Sequence, residues 1–479
     1  MTSTLTVEPT EQNRPGRPRP GKKWPGKKWL VEQWPRVKWL RQVWPGWLRR
    51  GQVRLGQSRP GQNRLGEKGP GQELRGQMRL GAKWLRPVRS GLGHRGGFWV
   101  IAAAFLVSLA FSTLPTPLFR LYQQRDGFPT VIITVVFAAY AIGVVTSMYL
   151  IGHVSDWLGR RRMVLVALLA EVVAAVLFLT WPEVPGLIVA RFVNGVGIGA
   201  LTATATAHLA ELRAVSHPGR DAGLFSSTVN MLGLGLGPLV GGLLASYVTA
   251  PLTVPYLIFL GLLLTATLAV RYVPETVTRN EGRPRYRPQR VSVPNHVRPV
   301  FWSAAAVAFV GNMFSGLIGA LAPTLLAGSF REPSLLVGGL VGTSVFAAAG
   351  GAQLLLAGRP LRRQLLIGLG AMVISLVAIP ASVVLGSVLL FCTGTVVGGA
   401  GMGLAFRVAL AMVGALAAPE LRGEALAGVF LAFYLGLALP VLAVGTALTV
   451  LPSLTVLVWF GLVELVLLLW AGRRLVVRS

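Results

Sequence analysis

From Phe98 to the C-terminus the chain runs in apolar stretches of about 20 residues separated by short polar breaks. That is the helix length needed to cross the ~30 Å hydrocarbon core of a bilayer. Twelve stretches are readable, over 98–121, 131–151, 163–181, 185–209, 221–248, 252–273, 300–328, 334–357, 364–385, 387–412, 424–449 and 452–471. None shows the weak alternation of a membrane strand. The spans are therefore predicted as helices, whose backbone polar groups are satisfied within the segment.

Composition agrees with a multi-pass membrane chain: 13% of residues are charged, against about 25% in a soluble domain. The single cysteine, Cys392, falls within the tenth span, so no intramolecular disulfide forms. No cleavable signal peptide is read, because the first apolar stretch begins only near Phe98. After Phe98 the basic residues are 24 arginines and no lysine. Alternate breaks collect them: Arg160, Arg161 and Arg162 after span two, Arg213 and Arg220 after span four, and Arg279 to Arg298 after span six. The same set of breaks holds Arg359, Arg362, Arg363, Arg422, Arg473, Arg474 and Arg478, whereas the other set holds only Arg125 and Arg331, with Arg120 at a border. By the positive-inside rule both termini are expected in the cytoplasm, and the chain in the cytoplasmic (inner) membrane.

Residues 1–97 break the pattern. From Gly16 to Leu85 the chain repeats every five residues, as in "GKKWP GKKWL VEQWP" and "GQVRL GQSRP GQNRL", a period unlike the common solenoid repeats. This part holds 22 basic and 5 acidic residues, and its Gly and Pro density argues against a stable helix. A disordered, low-complexity basic tail is expected. Interleaved Trp and Lys/Arg suit anionic lipid headgroups or nucleic acid. The competing reading is a translated, decaying 15-base repeat ahead of the true start, with Met78 as an alternative first residue. We favour that reading and expect no nucleic-acid partner.

The two sets of six spans resemble each other. "AELR" (Ala210–Arg213) follows span four and "PELR" (Pro419–Arg422) follows span ten, while "GVGIGAL" in span four matches "GAGMGLA" in span ten. The basic stretch 274–299, with "RNEGRPRYRPQR", reads as a flexible cytoplasmic linker. The predicted fold is an all-α membrane protein with twelve transmembrane helices in two pseudo-symmetric six-helix bundles, 98–273 and 300–479. Parallel repeats of this kind build a large class of transporters.

The densest charge cluster, "GHVSDWLGRRRMV", lies between spans two and three. Topology alone accounts for its arginines but not for its aspartate or glycine spacing. It resembles the signature loop of the major facilitator superfamily, with Gly152, Asp156, Gly159, Arg160 and Arg161 at the matching places. "RFVNGVGIG" (Arg191, Gly195, Gly197, Gly199) resembles the family's fourth-span motif. "GLGLGPLVGG" (Gly233, Gly235, Gly237, Pro238, Gly241, Gly242) resembles the fifth-span motif found mainly in its drug/proton antiporters, and "PET" (Pro274–Thr276) closes span six as in that family.

The resemblance covers 98–479 and implies a secondary transporter with a central cavity lined by spans one, four, seven and ten. It implies that Asp156 latches the halves near the start of span eleven, where the helix dipole favours negative charge, and that Arg160 pairs with Glu211. Glu424, at the start of span eleven, opposes such a latch, and the second half keeps only Arg362 and Arg363 of the corresponding loop. "GVGIGA" approximates a dinucleotide fingerprint but lies inside an apolar span, where small residues let helices approach. Pro238 is expected to kink span five.

Charged side chains at a span centre cost about 2.5–3.5 kcal/mol on the insertion scale and are functional candidates by default. Arg191 and Arg407 are candidate cavity residues, with Asn194 and Asn312 as neutral ones. Glu171 and Glu464 are candidate proton carriers, or else structural hydrogen-bonding groups, and His208 reads as interfacial. Span one lacks the membrane acid that several drug/proton antiporters carry. With no nucleotide or metal motif, the expectation is a monomer without cofactor or enzymatic activity that moves a small organic compound, coupled to protons, outward. The rivals are an uptake symporter for a small solute and a membrane-anchored binding protein acting through the basic tail.

Overall fold

Apolar composition does not by itself end a helix; prolines and the arginine-rich breaks do. The computed structural model describes residues 92–152, 154–216, 222–277, 298–416 and 422–477. The pentad tail, Met78 and most of the 274–299 linker lie outside the described residues.

Helix α1 (His94–Thr113) stops before the expected end of span one, because Pro115 and Pro117 follow at once and neither can donate to a helical turn. Helix α2 (Phe119–Asp126) then leads to α3 (Thr130–Ile151), the short α4 (Ser155–Leu158), α5 (Arg160–Thr180) and α6 (Val184–Ser216). The first half closes with α7 (Ala222–Tyr247), which runs on through Pro238, and α8 (Val254–Val270). The second half comprises α9 (Arg298–Ser329), α10 (Leu335–Leu355), α11 (Leu361–Leu385), α12 (Val388–Leu416), α13 (Arg422–Ala447) and α14 (Ser453–Val476).

Eleven of these helices are long and apolar enough to cross a membrane, and the sixth span, α8, is an apolar helix of 17 residues. Pro251 precedes its start, Pro255 sits in its first turn, where proline is favoured, and Pro274 limits its end, although hydrogen-bonded turns extend it at both ends (Thr253 N to Ala250 O, Val273 N to Val270 O). Large apolar side chains are exposed along many helices, including Leu262, Leu268, Val384 and Val466. In a membrane that surface faces lipid.

Packing repeats between the halves. In the first, α1 packs on α6, α7 and α8, while α5 packs on α6 and α8, and α3 on α6. In the second, α9 packs on α12, α13 and α14, while α11 packs on α12 and α14, and α10 on α12. Helix by helix these are the same six pairings. The halves meet through α7 against α10 and α3 against α13, with a smaller contact of α3 on α9.

Lipid supplies no hydrophobic drive between helices, so close backbone approach through small residues matters. Gly143 of α3 and Gly195 of α6 show this: a Cβ on Gly143 would collide with the Phe192 carbonyl, and one on Gly195 with the Tyr140 carbonyl. The span-five motif works likewise. Gly233, Gly237 and Gly241 lie against Leu109, Ala110 and Leu114 of α1 and the turn after it, and Gly242 lies against Leu335 and Gly339 of α10.

Gly195→Val should push α3 from α6 and destabilise the fold by about 2 kcal/mol, since overpacking costs about 1–3 kcal/mol. The expected readout is a lower thermal midpoint in detergent. Gly261→Val, where a Cβ meets nothing within 4 Å, should leave the midpoint unchanged.

Candidate functional site

At the arginine-rich end, the chain between α3 and α5 is tied to the segment that follows α8. Gly159 has φ +106°, and a Cβ there would lie 2.6 Å from Glu275 Oε2, so both backbone and space call for glycine. Glu275 Oε1 accepts from the backbone N–H of Arg160 at 2.8 Å and of Arg161 at 3.4 Å, placing a carboxylate on the positive end of α5. In return, Arg161 Nη1 donates to the Arg271 and Val273 carbonyls at the end of α8 (3.4 and 3.2 Å). Arg160 Nε pairs with Glu211 Oε1 of α6 at 3.1 Å, Arg160 Nη1 donates to Ser155 Oγ at 2.7 Å, and Thr276 Oγ1 donates to Glu211 Oε2. Three helices, α5, α6 and α8, are thus joined through "PET" and the arginine loop. The loop glycines and arginines marked the place in the sequence; the capping role of Glu275 was missed, because it acts across more than 100 residues of chain. The side chain of Asp156 and its approach to span eleven lie outside the described residues, and Glu424 sits in the first turn of α13.

Between the halves, away from that end, lies a cavity lined by Ser112, Thr113 and Thr116, by Phe137 and Tyr140 of α3, by Arg191 of α6 and by Leu234 and Pro238 of α7. The second half contributes Asn312, Ser315, Ile318 and Gly319 of α9, Gly342, Val345 and Phe346 of α10, and Phe433, Tyr434 and Leu437 of α13. Its water-accessible volume is about 60 Å3, room for a few waters. Span ten (α12) supplies none of these residues, and spans two, five, eight and eleven supply many. The face of α12 at Gly399, Gly401 and Gly403 is packed against α10 and α11 instead.

Arg191 is 2% exposed. Its Nη1 donates to the Ser112 carbonyl at 2.6 Å and to Asn194 Oδ1 at 3.2 Å. The guanidinium stands 4.5 Å from the Tyr140 ring centre and 5.8 Å from those of Phe119 and Phe137, arrangements that favour a desolvated cation. Asn194 Nδ2 donates to Glu171 Oε2 at 2.5 Å. A Cβ on Gly197 would strike Glu171 Oε1, so that motif glycine makes room for the carboxyl.

The structure therefore joins three candidates, Glu171, Asn194 and Arg191, into one chain leading from span three to the cavity wall. Of these only Arg191 lines the cavity; Asn194 lies behind it. Asn312 lines it from the second half, and its Nδ2 donates to the Phe433 carbonyl.

Two candidates are set apart. Arg407 is not among the residues lining this cavity: its Nη1 donates to the Gln353 carbonyl, where the Gln353 side chain also bonds Ser227 across the halves (2.9 Å) and the Gly403 carbonyl (3.0 Å). Glu464 is buried in α14, and neither carboxyl oxygen has a hydrogen-bond partner among the described residues. His208 Nε2 lies 3.2 Å from the Pro274 carbonyl. No cluster of three or more His, Cys, Asp or Glu suited to a metal occurs among the described residues.

The family model described as "Major Facilitator Superfamily" matches residues 100–389, more than half of the chain. The chain belongs to that superfamily. An uncharacterised MFS-type transporter of Methanocaldococcus jannaschii is 23% identical over 165 residues, 34% of this chain and 42% of that protein. An MFS-type transporter of Mycobacterium tuberculosis is 30% identical over 173 residues, 36% of this chain and 24% of that one. These matches thus span less than half of either relative. The human organic anion transporter MFSD10 has the same fold, with a TM-score of 0.61 at 15% identity over 80% of this chain and 100% of its own. The superfamily is a non-enzymatic transport class, and eleven helices among the described residues of this chain are long and apolar enough to cross a membrane.

Glu275→Gln should weaken the cap on α5. Carboxylates at a helix start contribute about 0.3–1 kcal/mol, so we expect a small drop in thermal midpoint that is larger at low salt. Gly159→Ala, strained in both backbone and space, should cost more than Glu275→Gln in the same assay.

Proposed function

We propose that this transporter exports a small, partly hydrophobic organic compound across the cytoplasmic membrane, coupled to protons, by alternating access to the cavity between its halves. The observation that carries the reading is the cavity itself. Both halves line it, its walls are mostly apolar and aromatic, and a buried carboxyl reaches it through Asn194 and Arg191. Export is supported by the span-five motif, which resembles that of drug/proton antiporters and forms the glycine seam of α7 against α1 and α10. The arginine distribution supports cytoplasmic termini. The reading takes the chain to act as a monomer, one copy supplying both cavity walls. The two bundles, 98–273 and 300–479, are the bodies that rock, and 274–299 links them. The family's loop motif supports Asp156 as a latch between them. Glu464 is left as a second carboxyl that a proton could occupy, with no link to the cavity.

A second reading, symport, has its own observation. The carboxyl linked to the cavity is held beside a cation instead of facing the cavity, so protonating it frees a positive charge for a negative substrate.

Reconstituted proteoliposomes with an imposed pH gradient of either sign, and a panel of labelled neutral, anionic and cationic compounds, test both. Antiport predicts accumulation of substrate against the proton flow and symport accumulation with it. Transport indifferent to the gradient and to a protonophore would remove proton coupling. Asp156→Asn is expected to insert normally and to slow transport at least tenfold at equal expression; full activity would remove the latch.

A further inference from the structure

Resting on the reading that the central cavity is the substrate site, and on symport, the second of the two couplings above, in place of antiport, we infer that its ligand is a small organic anion with a flat apolar body. We infer further that Glu171 takes up a proton as that anion binds Arg191. The charge inventory of the cavity comes first. Among the described residues, Arg191 is the only cationic one lining it, and no carboxylate lines it. A cationic ligand meets repulsion there, and a neutral one leaves a buried guanidinium facing it.

Arg191 also retains donor capacity. Nη1 is used by Ser112 and Asn194, and one face of the group is covered by Tyr140. Nε is buried with no acceptor among the described residues. A planar, forked donor of this kind matches a carboxylate. Around it, Phe137, Tyr140, Phe346, Phe433 and Tyr434 line the rest of the cavity with rings, suited to the body of an aromatic or similarly flat acid.

The counter-charge decides the proton. Glu171 is fully buried, its Oε2 is held by Asn194, and its Oε1 has no partner among the described residues. The titratable groups near it are Arg191 on α6, Tyr140 on α3, and Tyr256 on α8, which interacts with Arg191. From α1 the network receives the Ser112 carbonyl. One cation thus stands between two possible anions, the Glu171 carboxylate and the ligand. With both ionised the buried site is net negative, and with neither it is net positive, each unfavourable in a low dielectric. Neutrality holds when one replaces the other: the ligand anion pairs with Arg191, and the Glu171 carboxylate accepts one proton from solution to become the neutral acid. Anion and proton then cross in the same direction.

The test uses the purified full chain and three probes of one shape: benzoate, benzamide and benzamidinium. We expect benzoate to bind at least tenfold more tightly than the other two, with one proton taken up per benzoate, read by a pH dye in weak buffer. Its affinity should rise as pH falls, by at most about tenfold per pH unit. Glu171→Gln should bind benzoate with no proton uptake and a flat pH profile, whereas Arg191→Met should lose the preference for benzoate. Preference for benzamidinium or benzamide, or failure of all three to bind, overturns the anion. Benzoate binding without proton uptake, or uptake that persists in Glu171→Gln, overturns the exchange. Ser315→Trp, which fills the cavity from the second half, separates the two levels. If it leaves binding intact, the cavity reading itself fails. If it blocks binding while benzoate is not preferred, only the present inference fails.

Discussion

Lipid offers neither hydrogen bonds to backbone nor a hydrophobic reward for pressing one apolar helix on another. Everything that holds these helices together must come from close backbone approach or from polar groups turned inward. The glycine seams of α3 on α6 and of α7 on α1 and α10 are the first device. The second is a pair of polar networks, one at the arginine-rich end around Glu275 and Glu211, the other buried around Arg191. The same constraint explains why the site is built on helix interiors. A guanidinium at 2% exposure is tolerable only where a carbonyl, an amide and aromatic faces surround it.

The shared scaffold of the two halves does not extend to their chemistry. Aligning "GVGIGAL" on "GAGMGLA" places Thr395 opposite Arg191 and Gly398 opposite Asn194. Gly197 abuts Glu171, and its counterpart Gly401 abuts Met372. Where the first half has Asn194, the second has a glycine whose missing side chain is replaced by the Phe314 ring. Thr395 spends its hydroxyl on the Phe391 carbonyl one turn back. The Arg191 network therefore lies in one half, and the other supplies a mainly apolar and aromatic wall with the neutral polar groups of Asn312 and Ser315.

Much of this was legible in the sequence. Run length and arginine spacing marked the spans, because bilayer thickness and charge are one-dimensional constraints. The prolines that end α1 early and shorten α8 are equally plain once their missing N–H is counted. The partners of Glu171 were not legible. It sits 20 and 23 residues from Arg191 and Asn194, and only the rotation of α5 against α6 decides that it faces them. The capping roles of Glu275 and Arg161 were hidden for the same reason, since each caps a helix distant in sequence. Arg407 shows the converse: a charged residue in the expected span that turns to an interhelical carbonyl instead of the cavity.

The short sixth helix has a consequence for the membrane itself. At 1.5 Å per residue, the 17 residues of α8 reach about 26 Å, below the ~30 Å of an average hydrocarbon core. Leu257, Ile258, Leu262, Leu264 and Leu268 are exposed along it, so acyl chains lie directly against a wall a few ångströms too low for them. Arg271 and Tyr272 are exposed at its end, in position to draw headgroups inward. Where α8 meets lipid, thinning an average bilayer by a few ångströms costs a fraction of a kcal/mol per ångström, and thinner membranes accommodate that side of the protein with less deformation.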